Sequence, residues 1–76
     1  MIGLDRLNVG QVGRIVAIAG TDPLAQRLME MGLLEGEEVE VIGVAPLGDP
    51  IELRISGYRL SLRRAEAARI TVELPS

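Results

Sequence analysis

Ile51-Glu52-Leu53-Arg54-Ile55-Ser56-Gly57-Tyr58-Arg59-Leu60-Ser61-Leu62-Arg63 alternates apolar and polar side chains along two runs, with a Ser-Gly break between them. In extended backbone, residues two apart share a face, so Ile51, Leu53 and Ile55 line one side while Glu52 and Arg54 line the other. The returning run keeps the same period. Ser56-Gly57 reads as a tight hairpin turn, with Gly57 able to take a positive φ. One buried and one wetted face is the pattern of an antiparallel sheet.

Outward from that hairpin the remaining strands are shorter signals of the same kind. Ala45-Pro46-Leu47-Gly48-Asp49-Pro50 is a loop, with two prolines and a glycine. Before it, Glu38 to Val44 places Val39 and Val41 on one side and Glu38 and Glu40 on the other, after a turn over Leu33-Leu34-Glu35-Gly36. Val12 to Ile18 is β-branched and bounded by Gly10 and Gly20, which predicts another strand. Between these two, Thr21 or Asp22 caps a short helix, Pro23 fits its first position, and Gly32 stops it. Leu24, Leu28 and Met31 fall on one helical face. After the hairpin, Arg64 to Ala68 reads as a helical turn too short to count as an element, and Arg69 to Leu74 as the last strand. The expectation is an all-β domain over residues 1–76: a small, strongly bent barrel of five strands with a helix inserted after the first.

Composition removes most chemistry. The chain has 76 residues, no cysteine and no histidine, so disulfides, zinc-thiolate sites and the commonest general base are all absent. All its cationic side chains are arginine, the net charge is −3, and Tyr58 is the only aromatic. An acidic domain without a stacking platform is not expected to bind nucleic acid. The start, Met1-Ile2-Gly3-Leu4-Asp5, lacks a secretory signal, and the longest uncharged apolar stretches, Ile15–Gly20 and Val41–Gly48, fall far short of the roughly 20 residues that span a bilayer. A cytoplasmic protein without direct membrane insertion is expected.

No catalytic residue stands out. Without lysine there is no phosphate-binding loop, and Thr21, Ser56, Ser61, Thr71 and Ser76 have no histidine or lysine to activate them. Glu35, Glu37, Glu38 and Glu40 are concentrated at the start of one strand, but alternation splits them between faces and no nitrogen ligand completes a site. They read as a solvated face. No enzyme, no cofactor and no metal site is expected.

Several stretches, taken together, have the order of a known family. They are Leu4-(x2)-Leu7-(x2)-Gly10-(x2)-Gly13, Arg27-Leu28-Met29-Glu30-Met31-Gly32-Leu33 with Gly36, Ala45 to Ile51, Gly57, and Leu62-Arg63-Arg64-Ala65-Glu66-Ala67 with Ile70 and Val72. The chain thereby resembles the FeoA family, accessory proteins of bacterial ferrous iron transport. The resemblance implies an SH3-like barrel and a partnership with the membrane-embedded ferrous iron transporter and its cytosolic GTPase domain. The same domain type ends iron- and manganese-dependent repressors. That leaves two alternative roles: a regulatory domain of such a repressor system, or a GTPase-activating protein acting through an arginine.

The residues singled out for partner binding are Leu24, Arg27, Leu28 and Met31 on the helix, with Arg63 and Arg64 beside the last turn. The plainer role for Leu24, Leu28 and Met31 is a core lid with Met29 exposed; the other is that part of the set forms a docking patch. Arg63 and Arg64 make exposed ion pairs, meet an acidic partner, or supply an arginine finger. Polyproline recognition through an aromatic groove is not expected with Tyr58 alone. Strand edges leave weak self-association open.

Overall fold

Six strands make one antiparallel sheet: β1 (Ile2–Gly3), β2 (Val12–Ile18), β3 (Glu38–Val44), β4 (Ile51–Ile55), β5 (Tyr58–Leu62) and β6 (Ile70–Glu73). Their order in the sheet is β1-β6-β2-β3-β4-β5. Two helices accompany them, α1 (Pro23–Glu30) and α2 (Arg64–Ala67), together with a 3₁₀ turn at Leu4–Arg6. The computed structural model describes residues 1–75; Ser76, one of the hydroxyls considered above, lies outside the described residues.

The five expected strands are present, and two differences accompany them. The sheet gains a sixth strand, so the helix follows the second strand rather than the first. Ile2–Gly3 is too short to show a period, and it is a strand only because β6 offers an edge, pairing Ile2 with Val72 and Gly3 with Thr71. The turn after the hairpin is also an element in its own right, a single α-helical turn with Ala67 buried at its end.

Alternation sets the core. In β4, Ile51, Leu53 and Ile55 are buried and Glu52 and Arg54 exposed; in β3, Val39 and Val41 are buried. These join Leu4, Ile15, Leu28, Leu33, Leu62, Ile70 and Val72 in one aliphatic cluster. No polar side chain is buried among the described residues. Irregular registers between Ile15 and Ala17 in β2 and between Val41 and Gly43 in β3 add the extra residue that bends a strand and steepens its twist. The sheet therefore curls around the cluster.

The helix starts and stops on local signals. Asp22 accepts from the Ala25 N–H at 3.3 Å, and Pro23 occupies the first turn, where its missing donor costs nothing. At the other end Gly32 takes φ +99°, its N–H reaching the Met29 carbonyl while the Leu33 N–H reaches the Leu28 carbonyl. This paired closure needs a left-handed residue, and Leu33 then turns into the core beside Leu28.

At Gly13 in β2 the Val72 side chain of β6 packs directly on the backbone. A Cβ added to Gly13 would stand 2.9 Å from the Val72 Cβ and Cγ2 and 3.3 Å from the Leu7 Cδ1. These are core atoms with little room to yield.

Two predictions follow from the packing and the cap. Alanine usually improves on glycine in a strand, yet Gly13→Ala should lower stability by about 1–3 kcal/mol through overpacking. A chemical-denaturation midpoint that rises instead would refute the close approach. At Asp22, the hydrogen bond from the Arg69 guanidinium holds the carboxyl below its ordinary value of 3.8. A depressed folded pKa stabilises fully above the unfolded value and fades as pH falls through the folded one. Thermal melts should therefore show Asp22→Asn losing stability at neutral pH and converging on the parent chain as pH falls below the ordinary carboxylate range. A gap that stays constant with pH would remove the charge from the explanation.

Candidate functional site

The expected partner-binding residues are distributed by the fold into two roles. Along α1, Ala25 and Leu28 face the core, with Leu24 and Met31 half-buried against it. Leu28 is 1% exposed, so it has no surface to offer and drops out as a docking residue. A 3.6-residue period identifies the apolar stripe but not what covers it, and here the sheet does. Met29, at the margin of that stripe, is 42% exposed.

Arg27, Arg63 and Arg64 are all exposed, and α2 gathers them. Glu66 is the hub. Its Oε2 accepts from Arg27 Nη2 at 3.0 Å, linking α1 to α2, and its Oε1 accepts from the Arg63 N–H at 2.9 Å. Arg64 is engaged more fully: its N–H donates to Asp49 Oδ1 at 2.9 Å, its Nε to the Gly48 carbonyl at 2.6 Å, and its Nη1 to the Asp5 carbonyl at 2.7 Å. The segments Ala45–Pro50 and Leu62–Ala67 thus hold each other through one arginine and one aspartate. A guanidinium committed to two carbonyls is a structural clamp, which disfavours Arg64 as a finger into another protein's nucleotide site.

That clamp fixes a residue that sequence reasoning missed. Leu47, at the tip of the held loop, is 97% exposed. The available signal was an apolar side chain between Pro46 and Gly48 with no strand partner to alternate with. A second apolar surface lies where α1 ends. Ile15, Ala17, Ile18, Met29, Leu33 and Leu34 line a groove of about 280 Å³, and Leu34 is 49% exposed. The hydroxyl of Tyr58 donates to the Met31 carbonyl and ties β5 to this end of the helix.

The acidic residues are dispersed. Glu73 pairs with Arg14, Glu40 with Arg54 at 3.3 Å, and Asp22 with Arg69. The Arg14 pKa is raised, first by its hydrogen bond to Glu73 and then by that carboxylate's charge. Glu37 accepts from the Ser56 hydroxyl at 3.1 Å. Among the described residues, no three acidic side chains converge as a metal-ion site would require. No described helix is long and apolar enough to cross a membrane.

Loss of the Arg64 clamp should have two signatures. Arg64→Ala is expected to destabilise the fold by about 1 kcal/mol, the usual worth of exposed charge-assisted bonds. It should also speed amide exchange at Gly48, whose N–H closes the loop onto the Ala45 carbonyl at 2.7 Å. Unchanged exchange at Gly48 would mean that the loop holds itself.

Comparison with known proteins gives a consistent picture. A family model described as the FeoA domain matches residues 2–74. A fusion protein of Porphyromonas gingivalis, described as Fe(2+) transport protein A/Fe(2+) transporter FeoB, is 42% identical over 73 residues, 96% of this chain. The chain spans 9% of the length of that relative. The solution structure of an FeoA-like protein from Clostridium acetobutylicum is 40% identical with a TM-score of 0.91, covering 96% of this chain and 85% of that one. The crystal structure of Stenotrophomonas maltophilia FeoA complexed with zinc, described as a procaryotic SH3 domain protein, is 28% identical with a TM-score of 0.84 and covers 96% and 91%. The SH3-like architecture expected from the resemblance is the one observed.

Proposed function

Since the chain belongs to the FeoA family, we propose that it is an accessory protein of ferrous iron transport: a protein-binding module that docks on the membrane iron transporter from the cytoplasmic side and regulates it through the GTPase domain. The observation that carries this reading is the fusion in Porphyromonas gingivalis, where a domain 42% identical to this chain is joined to the transporter FeoB. Joining two modules in one chain raises their mutual effective concentration to the order of millimolar, so even a weak contact between them is populated. A free-standing domain must reach the same contact by affinity, which calls for an exposed recognition surface on a rigid body.

The structure supports that requirement. The core is aliphatic and fully packed, while Leu47, Met29 and Leu34 remain outside it, and Arg63 stands with no carboxylate at ion-pair distance among the described residues. The domain offers surfaces for a partner rather than an assembled set of reacting groups.

Regulation through a GTPase implies that nucleotide state alters the contact. Binding of the purified chain to the full-length transporter in nanodiscs, without nucleotide, with GDP and with a non-hydrolysable GTP analogue, should show affinities that differ by at least about tenfold between states, equivalent to about 1.4 kcal/mol of coupling. Equal binding in all three would refute regulation through nucleotide, and no binding in any state would refute docking itself.

A further inference from the structure

β5 bonds to β4 alone and forms one edge of the sheet. The two-residue Ser56-Gly57 turn, with φ of 50° and 82°, makes Ile55 and Tyr58 a hydrogen-bonded pair. Such pairs alternate along an antiparallel ladder, so Leu53–Leu60 and Ile51–Leu62 are the next two. The N–H and C=O groups of Arg59 and Ser61 therefore point away from β4. Among the described residues they have no other hydrogen-bond partner, and both residues are exposed; α1 meets the edge only at its two ends, through Tyr58 to Met31 and through Arg27 to Glu66. The next outward N–H, that of Arg63, is capped by Glu66 Oε1, which ends the open stretch.

The charges along this edge are unusual. Arg54 and Arg59 stand directly opposite each other, a like-charge pair that weakens a sheet. Arg54 is compensated by Glu40, whereas Arg59 and Arg63 have no ion-pair partner among the described residues. Strand alternation sets Arg59, Ser61 and Arg63 on one face, with the two guanidinium-bearing positions about 13 Å apart at 3.3 Å per residue. Beside them lies a polar depression of about 310 Å³ lined by Asp49, Pro50, Ser61, Arg63 and Glu66. Its two carboxylates are already occupied, Asp49 by the Arg64 N–H and Glu66 by Arg27 and the Arg63 N–H. Across the ladder on the same face, Glu52 stands opposite Ser61, so Arg59 and Arg63 flank one carboxylate with neither guanidinium held in an ion pair among the described residues.

We propose that the free edge of β5 takes an extended, acidic segment of the protein partner as an added strand. The segment's backbone bonds to the outward amides and carbonyls of Arg59 and Ser61, and two carboxylates four residues apart lie over Arg59 and Arg63. Backbone bonding gives such strand addition its affinity and the flanking charges give its register. The proposal rests on the docking reading above and names its surface.

The test uses a defined probe, the peptide acetyl-Thr-Glu-Val-Thr-Val-Glu-Thr-amide, titrated into isotope-labelled chain and followed by NMR. Amide shifts centred on Arg59 and Ser61, with slowed exchange there, are expected. Ser61→Pro removes an outward donor without touching the β4 ladder, and edge strands tolerate proline. Arg59→Glu relieves the like-charge pair and should leave the melting temperature unchanged or higher. Each variant should weaken the peptide by at least about tenfold, as should lysine in place of both glutamates. Shifts centred elsewhere, unchanged affinity in both variants, or concentration-dependent protection of the edge without peptide, which would make a second copy the occupant, each overturn the proposal. The same two variants are then assayed on the transporter. Transporter binding that neither variant weakens overturns the edge as the docking surface and leaves docking standing. Peptide capture at the edge without transporter binding refutes docking and leaves the edge site standing.

Discussion

Arg64 joins three segments that would otherwise meet only through the core. Its N–H holds Asp49, and its guanidinium reaches the carbonyls of Gly48 and Asp5. The loop after β3, the single turn of α2 and the 3₁₀ turn near the start are thereby fixed at one end of the molecule. Everything exposed at that end inherits its position from this contact. Leu47 is presented on a held loop rather than a floppy one, and Arg63, one residue earlier, is set at the end of the β5 edge. In an 8.2 kDa domain with no buried polar side chain among the described residues, surface geometry has to be fixed by such ties, because the core fixes only the sheet.

Local signals made most of the fold legible. The β4–β5 hairpin was readable because strict period two and a Ser-Gly turn agree, and β3 because Val39 and Val41 alternate with acids. The helix was readable because Asp22, Pro23 and Gly32 act within their own turn. What escaped depends on partners distant in sequence. Ile2–Gly3 is a strand by the grace of β6, and α2 is stabilised at its start by Asp49, 15 residues earlier.

The candidate site was less legible, for a related reason. Periodicity grouped Leu24, Leu28 and Met31 correctly, but a stripe that packs on its own sheet and a stripe that waits for a partner look alike in sequence. The residues left outside, Met29, Leu34 and Leu47, fall at positions where the periods end or a loop interrupts them. Arg63 and Arg64 are adjacent and chemically identical, yet one is a clamp and the other has no ion-pair partner among the described residues. That difference arises from which of them faces Gly48 and Asp5.

The distribution of charge bears on what kind of protein this is. Hard cations are held by several oxygens converging on one point, and softer ones need nitrogen or sulfur as well. Here Asp22, Glu40, Glu66 and Glu73 each answer an arginine on a different element, so part of the acidic charge ties the surface together. The arginines are unevenly used: Arg14, Arg27, Arg54 and Arg69 are paired, and Arg59 faces Arg54 across two strands. Natural sequences tend to break a local rule where function demands it. An arginine set opposite a like charge on a strand edge is such a break, and the proposed strand addition turns it from a cost to the isolated domain into a means of recognition.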